Sequence, residues 1–85
     1  MIKENTKGKT FQAPGFKIVY RKEGSISGDN AENVKETIYL ISGKAEVTVK
    51  DETQMVEGII MVEILANTYH KIVALTELTF LLFEI

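Results

Sequence analysis

The sequence predicts an all-β domain of short antiparallel strands, closed into a sandwich or barrel. Apolar residues fall in short alternating or unbroken runs, as strands require. Turn-rich breaks separate those runs at short spacing. Apolar residues make up 45% of 85 residues, enough for one domain with a real core and against a disordered chain.

Taken in order, residues 1–10 are polar and read as loose until something orders them. "APG" (13–15) reads as a turn. "FKIVYRK" (16–22) alternates Phe16, Ile18 and Tyr20 against Lys17, Val19 and Arg21, a strand with one wetter face. "EGSISGDN" (23–30) is turn-rich. "DNAENVKE" (29–36) reads as one helical turn, with Asp29 as N-cap and Glu32 closing a capping box. "TIYLIS" (37–42) and "KAEVTVK" (44–50) form a hairpin about Gly43, and Ala45, Val47 and Val49 share one face. "KDETQ" reads as a polar loop. "IIMVEIL" (59–65), "HKIVAL" (70–75) and "LTFLLFEI" (78–85) complete the strands. The division is therefore one domain over 1–85, a polar N-terminal segment (1–15) and a barrel (16–85).

Composition excludes several functions. Without cysteine there are no disulfides, thiolate metal sites or cysteine nucleophile, and a reducing, cytoplasmic setting is expected. No apolar run reaches transmembrane length and the N-terminus does not resemble a signal peptide, so the reading is soluble, with no membrane partner. A net charge of −2 argues against nucleic acid. The charge is uneven: residues 1–22 carry six basic residues and one acid, residues 23–85 four basic and eleven acidic. The expectation is that the basic segment lies against the acidic barrel, its own or a partner's, with an anionic-ligand patch as the alternative.

"IYLI" (38–41), "IIMV" (59–62) and "FLLF" (80–83) are apolar on both faces of their strands, so both faces need cover. In 85 residues no helical layer is available to supply it. A homodimer packed sheet on sheet is the economical answer.

The spacing G-x5-N-x-E-x3-E-x6-G runs through Gly24, Asn30, Glu32, Glu36 and Gly43. It resembles the first motif of the cupin superfamily, G-x5-H-x-H-x3/4-E-x6-G, with both histidines replaced. The second cupin motif, G-x5-P-x-G-x2-H-x3-N, is similar to the stretch after Gly58. There Leu65 takes the proline position, Asn67 the glycine position and His70 the motif histidine, with one extra residue after Gly58 and Ala74 in place of the final asparagine. Asparagine suits a left-handed turn in glycine's place. The resemblance covers residues 16–85 and implies a cupin-type double-stranded β-helix, a jelly-roll barrel like that of small single-domain RmlC-like members.

The resemblance also implies a ligand set. Cupins usually hold a divalent ion with three histidines and a glutamate; here the positions are Asn30, Glu32, Glu36 and His70. Those donors suit manganese better than zinc, nickel or iron. If residues 29–36 form a helical turn, Asn30 and Glu32 point away and only Glu36 and His70 remain. The metal site then reads as degenerate and no cofactor is expected, with a divalent metal (manganese, zinc, nickel or iron) as the alternative.

Three functions follow. The leading one is a binding module taking a small polar, sugar- or carboxylate-like ligand with Glu36, Asn67, Tyr69 and His70. The second is an enzyme. It is either similar to sugar-nucleotide isomerases, with His70 as acid/base oriented by Glu36 or Tyr69, or metal-dependent through Glu36 and His70. The third is a structural module whose barrel is plugged by Met55, Met61, Phe80 and Leu82. "GSISG" (24–28) fails as a nucleophile elbow because its central residue is Ile26.

Overall fold

The computed structural model describes residues 2–84, and among them every regular element is a strand. They are β1 (Ile2–Asn5), β2 (Gly8–Ala13), β3 (Phe16–Arg21), β4 (Ile26–Asn30), β5 (Glu36–Ser42), β6 (Lys44–Val49), β7 (Glu52–Glu57), β8 (Ile60–Ile64), β9 (His70–Ala74) and β10 (Leu78–Glu84). No helix among the described residues is long and apolar enough to cross a membrane.

Two antiparallel sheets face each other. One has the order β1-β2-β3-β10-β5-β8, the other β4-β9-β6-β7. β-Branched and aromatic residues favour this backbone, because they fill the surface between pleats. At Gly43, φ is 103°, and a Cβ would press on the Glu77 carbonyl and on the Leu78 side chain at 2.9 Å. Only glycine turns the β5–β6 hairpin there.

The core lies between the sheets. Val19, Ile38, Leu40, Ile64, Leu78 and Phe80 come from the larger sheet, and Ala45, Val47, Ile72 and Ala74 from the smaller. Ile64, Leu78 and Val19 are the largest fully buried side chains. This is the apolar payload that holds the layers together.

Four local expectations differ from what forms. Residues 2–13 are a β-hairpin continuing the larger sheet, with Lys9 opposite Tyr20 and Phe11 opposite Ile18, instead of a loose segment. Within "EGSISGDN", Ile26–Asn30 is a strand paired with β9. The helical turn over 29–36 does not form. Asp29 sits at φ 62° in a bulge of the β4–β9 ladder, and the Asn30 side-chain oxygen accepts the Glu32 N–H at 3.0 Å. That local bond satisfies the backbone without a helix. "KDETQ" is a tight turn at Lys50, φ 59°, that leads directly into β7.

The larger sheet wears an apolar row on its outer face. Ile2, Phe11, Ile18, Leu81, Tyr39 and Met61 are successive cross-strand partners, one from each strand. Phe83 stacks on Phe16 at 5.2 Å between centroids and meets Tyr39 edge-on at 5.7 Å. Met61 is 51% exposed and Phe11 44%. The basic N-terminal stretch meets the rest of the barrel in one ion pair among the described residues, Lys17 to Glu84 at 2.8 Å.

Candidate functional site

Between the sheets, beside the core, lies a cavity of about 430 Å³, a size suited to a small molecule. Its apolar wall is Val19, Ile38, Ile72, Phe80 and Leu82. Phe80 and Leu82 thus line the space without filling it. Met55 and Met61 are 71% and 51% exposed on outer faces, so the proposed plug does not form.

β9 begins at His70, and alternation turns His70, Ile72 and Ala74 inward. The preceding turn passes through Asn67 at φ 53°, the left-handed conformation expected there. His70 is buried, 6% exposed. Its Nδ1 lies 3.0 Å from the Thr68 carbonyl, which can only accept, so Nδ1 carries the proton. Nε2 then faces Glu36 Oε1 at 3.5 Å.

In the neutral ring Nε2 is an acceptor, and a bare carboxylate opposite it is another. The contact is favourable when one proton is held by the pair. Burial raises the Glu36 carboxyl above its ordinary range, the His70 charge opposes that, Glu84 adds to it and Lys17 opposes it. Glu36 and His70 thus face each other at the cavity wall.

Gly28 leaves room for that ring. Its φ is 81°, and a Cβ there would stand 2.7 Å from His70 Cδ2 and 2.9 Å from Nε2. Asn33 holds the neighbouring loops together. Its amide nitrogen donates to the Leu65 carbonyl at 2.9 Å, its side-chain oxygen accepts the Thr68 N–H at 3.1 Å, and its own carbonyl accepts the Asn67 N–H at 2.9 Å.

Of the residues expected at the site, Glu36 and His70 are brought into contact. Asn30 and Glu32 reach the exposed rim of the same cavity. The Asn30 amide is engaged locally, donating to the Gly28 carbonyl at 3.2 Å and accepting from Glu32 N–H. Asn67 and Tyr69 do not line the cavity. Tyr69 precedes His70 and so lies on the opposite face, where its hydroxyl donates to Asp29 at 2.6 Å and braces the bulge. That carboxylate raises the phenol's pKa.

Among the described residues, no three His, Asp or Glu side chains cluster as metal ligands. Glu36 and His70 supply two donors, and the Asn30 amide oxygen is already satisfied. Of the four cupin positions, Glu36 and His70 stand together, while Asn30 and Glu32 sit at the exposed rim of the same cavity.

The two cationic residues of the cavity wall, Lys17 and Arg21, were not anticipated there. The wetter face of β3 turns inward and its apolar face, Phe16, Ile18 and Tyr20, turns out. The half-buried Arg21 guanidinium donates to Ser27 Oγ at 3.2 Å, to Thr10 Oγ1 at 3.3 Å and to the Tyr20 carbonyl at 3.0 Å. Burial lowers its pKa. The sequence signal was Lys17, Val19 and Arg21 sharing one face, but alternation alone does not say which face is inside.

No family model matches the chain, and no curated protein sequence matches it. Solved structures do. The capsular polysaccharide assembling protein CapF from Staphylococcus aureus superposes with a TM-score of 0.77 at 18% identity, over 98% of this chain and 28% of that one. A cupin-2 domain from Rhodospirillum rubrum gives 0.74 at 17% identity, over 87% and 55%. A conserved protein of unknown function from Streptococcus pyogenes gives 0.73 at 22% identity, over 79% and 59%. This chain therefore spans from about a quarter to less than two thirds of the length of these neighbours. The shared architecture and the two motif-like stretches agree: this chain has the cupin fold, a jelly-roll barrel.

Proposed function

We propose that this cupin barrel is a small-molecule-binding module that takes a small polar ligand into the cavity between its sheets. The observation that carries the reading is the pairing of buried His70 with partly buried Glu36 at the wall of a cavity of about 430 Å³. Withdrawing such groups from water costs free energy, and titratable groups held this way gather at functional sites. The apolar wall excludes water while the couple offers both a donor and an acceptor to a ligand hydroxyl or carboxylate. A reducing cytoplasmic setting belongs to the same proposal and rests on the lack of cysteine. The test is an NMR screen of polyols and small carboxylates read at the His70 ring. Binding is expected to shift that resonance and to weaken in His70→Gln. A folded protein whose ring responds to none of them refutes the reading.

The same couple favours a second reading, acid/base catalysis without metal. His70 Nε2 would pass a proton to and from a ligand carbon or oxygen, with Glu36 holding it in the interval. Deuterium from solvent would then enter a bound sugar-like substrate at carbon. A bound ligand that never exchanges is bound only.

The proposal extends to assembly: a second copy of this chain covers the outer apolar row of the larger sheet. Six strands and about three outward rows give a face of about 25 by 20 Å, so two copies would bury roughly 1,000 Å², the lower bound for a stable pair. A sheet face is self-complementary about a two-fold axis, which suits a second copy. Sedimentation at micromolar concentration is expected to show a dimer that Ile18→Lys splits. A wild-type monomer overturns it.

A further inference from the structure

Arg21 is the charge in this cavity that the Glu36–His70 couple does not account for. Lys17, the other inward cation of β3, is matched by Glu84 at 2.8 Å. No carboxylate lies within 4.0 Å of Arg21 among the described residues. Each acceptor it has is neutral: the hydroxyls of Thr10 and Ser27 and the carbonyls of Tyr20 and Lys9. Of the two terminal nitrogens, Nη2 makes only the long bond to Thr10, which leaves donor capacity to spare.

The surroundings hold that guanidinium in place without neutralising it. Thr10 on β2 and Ser27 on β4 grip it from two sheets, and all three residues line the cavity. Arg21 stands four positions along β3 from Lys17, about 13 Å, with Val19 between them. The cavity thus carries an unmatched cation beside an apolar wall and, apart from it, the facing Glu36 and His70.

We propose that Arg21, with Thr10 and Ser27, is the anion-recognition subsite of the cavity, and that the ligand it takes is a small carboxylate. The inference rests on the binding-module reading and narrows its ligand class. A planar guanidinium with free N–H groups matches a carboxylate in two-point geometry, and the flanking hydroxyls can donate as well. The remainder of the ligand lies on Val19, Ile72 and Phe80, and a hydroxyl or second polar group meets His70 and Glu36.

The test compares charged and neutral twins of one skeleton, succinate against succinamide and lactate against lactamide, in calorimetry and at the His70 ring. Arg21→Gln and Arg21→Lys are run beside the wild type, and their folds are checked by amide spectra. Carboxylates are expected to bind and their amides not to, with affinity falling roughly tenfold or more in Arg21→Gln and partly kept in Arg21→Lys. The charged and neutral twins read the preference on the wild type alone, even where a variant misfolds. Carboxylates that bind equally well to a folded Arg21→Gln overturn the subsite while leaving the cavity reading intact. Amides or polyols that bind as well as carboxylates overturn the ligand class and again spare the cavity. A His70 ring that answers to nothing removes both.

Discussion

Two strands of this barrel, β6 in the smaller sheet and β3 in the larger, follow opposite rules. β6 obeys the ordinary one: Ala45 and Val47 face in, while Lys44, Glu46 and Thr48 face out. In the larger, β3 is turned over, with Lys17 and Arg21 inside and Phe16, Ile18 and Tyr20 outside. β5 is apolar on both sides, Ile38 and Leu40 within and Tyr39 and Ile41 without. Hydrophobic alternation tells which residues share a face, and burial decides only where one face alone is covered. The larger sheet is apolar on its outer face as well, and its inner face carries charge at Lys17 and Arg21.

That contrast divides the inner face of the larger sheet into a part that holds the fold and a part that holds the site. The sharpest way to break it is Ile64→Ala. Ile64 is fully buried, and the change should cost about 3–4 kcal/mol in urea unfolding. A loss under about 1 kcal/mol would show that the core is not where the burial places it.

Next in size is Asn33→Ala, which removes the side-chain bonds to Leu65 and Thr68. About 1–2 kcal/mol is expected. Hydrogen exchange should quicken at the Thr68 amide and remain unchanged at Val47 in the smaller sheet. Equal quickening at both would mean that the loop clamp is not local.

The smallest effect is in the pH dependence of Glu36. Because its folded pKa is raised, chiefly by burial, the folded chain holds this proton more firmly than the unfolded chain. That contribution favours folding at pH values below the ordinary carboxylate range and is lost as pH rises through the raised value. Glu36→Gln should therefore flatten the fall in stability as pH rises out of the ordinary carboxylate range. Identical pH profiles for the two proteins would place the proton elsewhere.

Much of this was legible from residue order. Gly24 to Gly43 and Gly58 to His70 carried the spacing of the cupin fold, and Asn67 signalled the left-handed turn that His70 follows. Glu36 and His70 were recognisable as partners because both open inward-facing strands. Three features were not legible. Asp29–Glu36 has the letters of a capping box, but a bulge and an Asx bond satisfy the same backbone groups in a chain that stays extended. Polar "KDETQ" reads as loop because β7, which takes in its last three residues, is an edge strand, mostly exposed, and needs no apolar face. Arg21 was hidden by the usual assumption that a wetter face meets water.

β10 lies between β3 and β5, so the strand that joins the two halves of the larger sheet is the last of the described strands in chain order. Until it inserts, β1–β2–β3 and β5–β8 are separate fragments with bare inner edges. Folding therefore waits on contacts some sixty residues apart, such as Phe80 with Val19. Such non-local closure is slow and exposes unpaired strands meanwhile. During synthesis the β10 wall of the cavity is made after every other described strand.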